Sequence, residues 1–125
     1  MKKIFITATL SLSLFASCSD KNVTHNSDGS TTITTVEIGH EIKAYGGRLP
    51  LNVTFKDDVI KKVEILENKE TPDYLERVER EMLPKFTDLP ITEIDNIDGV
   101  SGATFTSKAL RRNIKVAAEY YEKTK

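Results

Sequence analysis

Two alternating apolar runs joined by a pair of aspartates constrain this chain more than any other feature. In "LPLNVTFKDDVIKKVEILEN", Leu51, Val53 and Phe55 fall on one side of an extended segment. After Asp57-Asp58 the pattern returns through Val59 or Ile60, then Val63 and Ile65. Period-two burial on both arms predicts an antiparallel pair with one face in a core and the other in water.

The segments around that hairpin fill out a small domain. "TTITTVEIG" is β-branched, with Ile33, Thr35, Val36 and Ile38 alternating imperfectly, and predicts an edge strand near the start of the domain at Thr31. In "AYGGRLP", Gly46-Gly47 mark a bend or a close approach to the backbone. "ETPDYLERVEREMLPKF" changes period: Leu75, Val78 and Met82 recur at three- and four-residue steps, which predicts an amphipathic helix. Pro72 suits its first turn, and Pro84 ends it near Leu83. "DLPITEIDNIDGV" predicts a short strand or an extended lead-in. A last helix opens at Thr104 or Thr106 and runs to about Glu122, with Leu110, Ile114, Ala117 and Tyr121 as its buried stripe. The order predicts an α+β domain, a small antiparallel sheet packed with the amphipathic helix and the C-terminal helix.

With 125 residues, 38% of them hydrophobic and 30% charged, the chain holds one modest core. Basic and acidic residues are interspersed, so nothing points to a nucleic-acid partner. The N-terminus says more. "MKKIFITATLSLSLFASC" has a basic start at Lys2 and Lys3 and an apolar, hydroxyl-rich run too short to span a bilayer. It predicts a secretory signal peptide over residues 1–17. "LFASC" resembles the bacterial lipobox, in which cleavage falls before a cysteine that is then acylated, here Cys18. Ordinary cleavage leaving a free Cys18 thiol is the alternative. Removing Lys2 and Lys3 takes the formal charge from −1 to −3 and leaves no second cysteine for a disulfide. Residues 18–30, containing "SDKNVTHNSDGS", read as a flexible tether, and residues 31–125 as the domain. The chain is thereby expected outside the cytoplasm, held to a bacterial membrane as a lipoprotein.

The chemistry concentrates in "DGVSGATFTSKAL", Asp98 to Leu110. The first turn of a helix carries N–H groups without internal partners and the positive end of the dipole, so it attracts phosphate. Gly102 opens backbone conformations closed to other residues, Ala103 leaves room, and Thr104 presents a hydroxyl where a phosphate sits. Lys108 follows one turn later. A plain helix cap with a glycine turn explains the same residues.

"DGVSGATFTSKA" resembles the flavinylation signature of the FMN-binding domain family: Asp, two residues, Ser or Thr, Gly, Ala, then Thr or Ser. That family includes subunits of sodium-translocating NADH:quinone oxidoreductase and of the Rnf complex, and small extracytoplasmic lipoproteins. The resemblance implies FMN joined covalently by its phosphate to Thr104, installed by a flavin transferase that uses FAD and magnesium. Asp98, Ser101, Gly102 and Ala103 match the rest of the signature, and Thr106 and Ser107 its continuation. "KETPDY" holds the family's Glu-Thr-Pro at Glu70, Thr71 and Pro72, which the resemblance puts close to the flavin ring. "AYGGRLPLNV" is similar to the family's Gly-Tyr-Gly-Gly opening, with Ala44 in place of the first glycine; Asp73 replaces a glycine common after Glu-Thr-Pro. The likeness runs from about Tyr45 to the C-terminus.

Other features carry less. His25 and His40 lack carboxylate or cysteine partners at ligand spacing and read as surface or loop histidines. An acid at Glu70 is also explained by charge complementarity with a helix start. Tyr120-Tyr121 read as packing, "ERVERE" as a solvated face, and no nucleophile–base pair for hydrolysis is apparent. The resemblance implies an electron carrier, or a subunit of an oxidoreductase system, relaying electrons between unidentified redox partner proteins. The competing expectation is a non-redox α+β lipoprotein that binds peptide or cell wall.

Overall fold

The computed structural model of the protein describes residues 20–125. The expected signal peptide and Cys18 lie outside the described residues.

Among the described residues, seven short strands and two α-helices form the α+β domain. β5 (Leu51–Lys56) and β6 (Val59–Ile65) are the predicted hairpin. Asp57 and Asp58 turn it with φ of 53° and 64°, the left-handed pair that a two-residue hairpin turn demands. The sequence leaves Val59 and Ile60 as alternatives for the core, and the register decides between them. Phe55 pairs with Ile60 while Thr54 pairs with Lys62, so Lys61 bulges out. The bulge shifts the inward phase by one residue: Ile60 is fully buried, whereas Val63 and Ile65 are half-buried.

β2 (Thr31–Thr34) pairs with β5, but it is not an edge. β1 (Val23–His25) covers its other side, giving the order β1-β2-β5-β6-β7, where β7 is Leu89–Pro90. The stretch expected to be a flexible tether therefore contributes a strand. The Tyr120 hydroxyl also donates to Asp20. That bond, with the Asn22 N–H at 2.9 Å, holds the Asp20 carboxyl below the ordinary carboxylate range. Val36 and Ile38 do not extend β2. Thr35 ends it: its N–H donates to the Leu51 carbonyl at 2.9 Å, and its hydroxyl accepts the Leu51 N–H at 2.9 Å. The chain then turns away and leaves Val36 41% exposed.

β3 (Lys43–Ala44) and β4 (Gly47–Arg48) form a separate hairpin of two pairs, with Tyr45-Gly46 at its tip. Helix α1 (Pro72–Glu81) starts on Pro72 and buries Val78. It stops two residues before the predicted end, and Pro84 sits in a 3₁₀ turn over Leu83–Phe86. After β7, residues Ile91–Asn96 make a second 3₁₀ turn where an extended lead-in is one expectation.

Helix α2 (Thr104–Thr124) lies across the sheet. Its Leu110, Ile114, Ala117 and Tyr121 are buried, as the spacing predicts. Tyr121 stacks on Phe55 with ring centroids 4.7 Å apart, and its hydroxyl accepts the Asp58 N–H at 3.2 Å. One residue thus ties the helix to the sheet and to the hairpin turn.

Candidate functional site

The site forms where the N-terminus of α2 meets the β3–β4 tip. The residue before the helix is Ala103, with φ −134° and ψ 50°, and no side chain caps it. Thr104 is the first helical residue, so its hydroxyl is not the cap that the simpler sequence reading assigns. The helix start keeps its unpaired N–H groups and the positive end of its dipole.

Helical phase separates the hydroxyls of this turn. Thr104 is exposed, while Thr106 and Ser107 are 0% and 2% exposed. Each buried hydroxyl has a structural partner. The Ser107 hydroxyl accepts the Val100 N–H at 2.9 Å, and Thr106 donates to the Glu70 carboxylate. Ser101 is exposed in the loop before the helix. That loop is held from behind by Arg111, whose Nε and Nη2 donate to the Ile97 carbonyl at 3.1 and 2.7 Å. Gly102 takes φ 86°, so the backbone calls for glycine there, while its one close neighbour is the movable guanidinium of the exposed Arg77.

Thr104 stands on the wall between two hollows. One, of about 240 Å³, is lined by Tyr45, Tyr74, Phe105 and the backbone turn Gly102–Thr106. Tyr45 meets Tyr74 edge-on at 5.2 Å and lies near-parallel to Phe105 at 6.4 Å, and both Tyr45 and Phe105 are 62% exposed. The other hollow, of about 340 Å³, has Ser101, Ser107, Lys108 and Arg111 around Thr104. An aromatic side and a basic side thus share one accessible hydroxyl.

The chain matches the family model of the FMN-binding domain over residues 44–119. It belongs to that family. Searches among curated proteins and among solved structures found no match. The protein is accordingly a flavin-binding protein with FMN as its cofactor. The residues around Thr104 fit that group: aromatic rings for an isoalloxazine, and an uncapped helix start with nearby Lys108 for a phosphate.

Of the residues singled out in the sequence, Ser101, Gly102, Ala103, Thr104, Thr106 and Ser107 all border one or both hollows. Glu70 reaches the site through Thr106 and the β3–β4 tip, without lining a hollow. Thr71 and Pro72 line neither hollow, and nor does the exposed Asp98. The aromatic trio lies outside the site residues that the sequence predicts. Tyr45 and Tyr74 lie inside the quoted "AYGG" and "KETPDY" landmarks, and Phe105 directly follows Thr104, which is the signal that marks them. His25 and His40 are exposed, and among the described residues no three His, Cys, Asp or Glu side chains cluster to hold a metal.

Proposed function

We propose that the protein carries FMN covalently on Thr104 and acts as a membrane-tethered electron carrier outside the cytoplasm. The observation that carries this reading is that Thr104 is the exposed hydroxyl of the first turn of α2, while Thr106 and Ser107 are buried and engaged. A bond to the chain also suits the shape of the site. At about 240 Å³ the aromatic hollow is smaller than the roughly 300–1,000 Å³ typical of pockets that enclose a small molecule. A ring resting there stays partly in water, so retention depends on the linkage.

Each side chain has a task. Thr104 supplies the linking oxygen, and the helix start and Lys108 stabilise the phosphate anion. Tyr45, Tyr74 and Phe105 offer the ring apolar surface. Gly102 supplies the left-handed turn that leads the loop into α2. A flavin transferase installs the group from FAD with magnesium: the Thr104 oxygen bonds to the FMN phosphorus, AMP leaves, and the hydroxyl proton is released. When bound, FMN exchanges electrons singly or in pairs, which suits a relay between unlike redox partner proteins.

Acylation of Cys18 supplies the tether in this reading. The chain enters the domain where Asp20 meets Tyr120, sixteen residue steps along α2 from Thr104, or about 24 Å. The anchored end and the flavin end are thus well separated along the helix, and the ring faces partners away from the point of attachment.

The test is Thr104→Val beside Thr104→Ser, each co-produced with a flavin transferase. The wild type should gain the mass of FMN less one water on the peptide holding Thr104, and its denatured band should fluoresce. Thr104→Ser should retain the label, and Thr104→Val should fold without it. A label that persists in Thr104→Val, or that fragments to Ser101 or Thr106, refutes the assignment.

A further inference from the structure

We propose that Glu70 is the positioning residue of the flavin site: its buried carboxylate ties the Tyr45-Gly46 bend to the first turn of α2, and so sets the aromatic hollow beside Thr104. The inference deepens the reading of that hollow as the flavin site and rests on it.

Glu70 is 7% exposed. Its Oε1 accepts the Gly46 N–H and, at 3.2 Å, the Thr71 N–H. Its Oε2 accepts the Tyr45 N–H at 3.3 Å and the Thr106 hydroxyl. Four donors occupy the acceptor positions of one carboxylate. Among the described residues no Lys, Arg or His pairs with it. Burying an acid without a cation is costly unless hydrogen bonds replace its water, and here they do. Local complementarity with the start of α1 accounts for one bond only, that from Thr71. The donors at Tyr45, Gly46 and Thr106 lie 25, 24 and 36 residues away in the chain.

The bend needs this support. β3 and β4 share two residue pairs, too few for a hairpin to hold itself. The Tyr45 ring is largely in water, so its place against Tyr74 and Phe105 depends on the backbone beneath it. Gly46 is part of the same device: a Cβ there would lie 2.8 Å from Glu70 Cα and from Glu70 Oε1, with the Lys69 carbonyl closer still. On the other side Thr106 is fully buried, and it sits in the same helical turn as Thr104 and Phe105. One carboxylate thereby fixes Tyr45 relative to Phe105.

The variants are Thr106→Val, Thr106→Ser and Glu70→Gln in the full domain. Three readouts apply: amide exchange and Tyr45–Phe105 ring contacts by NMR without flavin, visible circular dichroism after loading, and intact mass. Thr106→Ser keeps the donor and should match the wild type. Thr106→Val, nearly the same shape, should melt cooperatively yet lose the Tyr45–Phe105 contacts and most of the flavin dichroism. In Glu70→Gln the side-chain NH₂ should turn toward Thr106, whose hydroxyl can accept. Tyr45 N–H then loses its acceptor and should exchange about tenfold faster, while Gly46 and Thr71 keep theirs. Unchanged ring contacts and dichroism in Thr106→Val overturn the proposal, as does equal loss in Thr106→Ser. If Glu70→Gln fails to fold, the Thr106 pair decides alone. The expected NMR changes in a protein that takes up no flavin mass would uphold the clasp and sink the covalent-flavin reading instead.

Discussion

Replacing Gly46 with alanine tests the junction between the β3–β4 tip and the helix from its most crowded point. The new Cβ would sit 2.8 Å from Glu70 Cα and nearer still to the Lys69 carbonyl. Both are backbone atoms that cannot swing aside, so the tip must move. Overpacking of this kind costs about 1–3 kcal/mol. Moving the tip also breaks the Gly46 N–H bond to a buried carboxylate, worth about 1.5–3 kcal/mol for a charged acceptor. Together they amount to about 2.5–6 kcal/mol, a large fraction of the roughly 5–15 kcal/mol that holds a small domain together. At about 4 °C per kcal/mol, the lower end for a domain of this size, the melting temperature should fall by about 10–24 °C. Gly47→Ala is the companion: its φ is +127°, but nothing lies within 4 Å of its Cβ position. It carries a backbone cost alone and should leave the amide signals of Tyr45 and Gly46 in place. Thermal melts followed by circular dichroism decide the matter. A Gly46→Ala protein melting within about 4 °C of wild type would show that the tip is not pressed against Glu70, and the argument for a rigid junction would fail.

Three further outcomes are expected. Tyr45→Ala and Phe105→Ala, both at largely exposed rings, should change stability by under about 1 kcal/mol but reduce the visible dichroism of bound flavin; an unchanged spectrum removes those rings from the site. The folded-state value of Asp20 is lowered chiefly by the Tyr120 hydroxyl. Its contribution is therefore present above the ordinary carboxylate value and lost as pH falls through the lowered one. Amide exchange at Val23–His25 should accelerate over that acid range in wild type and lack that step in Asp20→Asn. Cys18→Ala should release the protein from membranes, and a variant that still sediments with them contradicts acylation as the anchor, since stable attachment takes more than one acyl chain.

Elements with a strong internal period were legible in the sequence, and those defined by a partner were not. β5 and α2 each bury one regular face, so Leu51, Val53, Phe55 and the stripe from Leu110 to Tyr121 follow from spacing alone. β1 has three residues in a polar run and is a strand because Thr31–Ile33 offer it an edge. Val36 and Ile38 have the composition of a strand, yet Thr35 spends its N–H and its hydroxyl on Leu51 and the ladder stops there. The bulge at Lys61 is invisible for the same reason: a register shift belongs to two strands, and a pattern belongs to one.

The site divides along a similar line. Quoted landmarks at Tyr45-Gly46, at Glu70 and from Asp98 to Ser107 are apart in the chain, and nothing in their residue types says that Glu70 joins the first to the last. That junction appears only when the Thr106 hydroxyl and the amides of Tyr45 and Gly46 converge on one carboxylate. The exposure of Thr104, by contrast, was implicit. Successive residues of a helix are about 100° apart, so the stripe at Leu110, Ile114, Ala117 and Tyr121, extended backward, passes through Ala103, Thr106 and Ser107. Thr104 stands about 200° from Thr106 and so falls off the stripe. Two threonines two places apart in one motif therefore meet opposite surroundings: one is spent holding the fold, and the other is left in water with its hydroxyl uncommitted to a cap. Any reagent that reaches the domain in its folded state meets Thr104 before Thr106. Of these two threonines, modification of the folded domain should accordingly fall on Thr104, whereas a chain modified before folding would offer both.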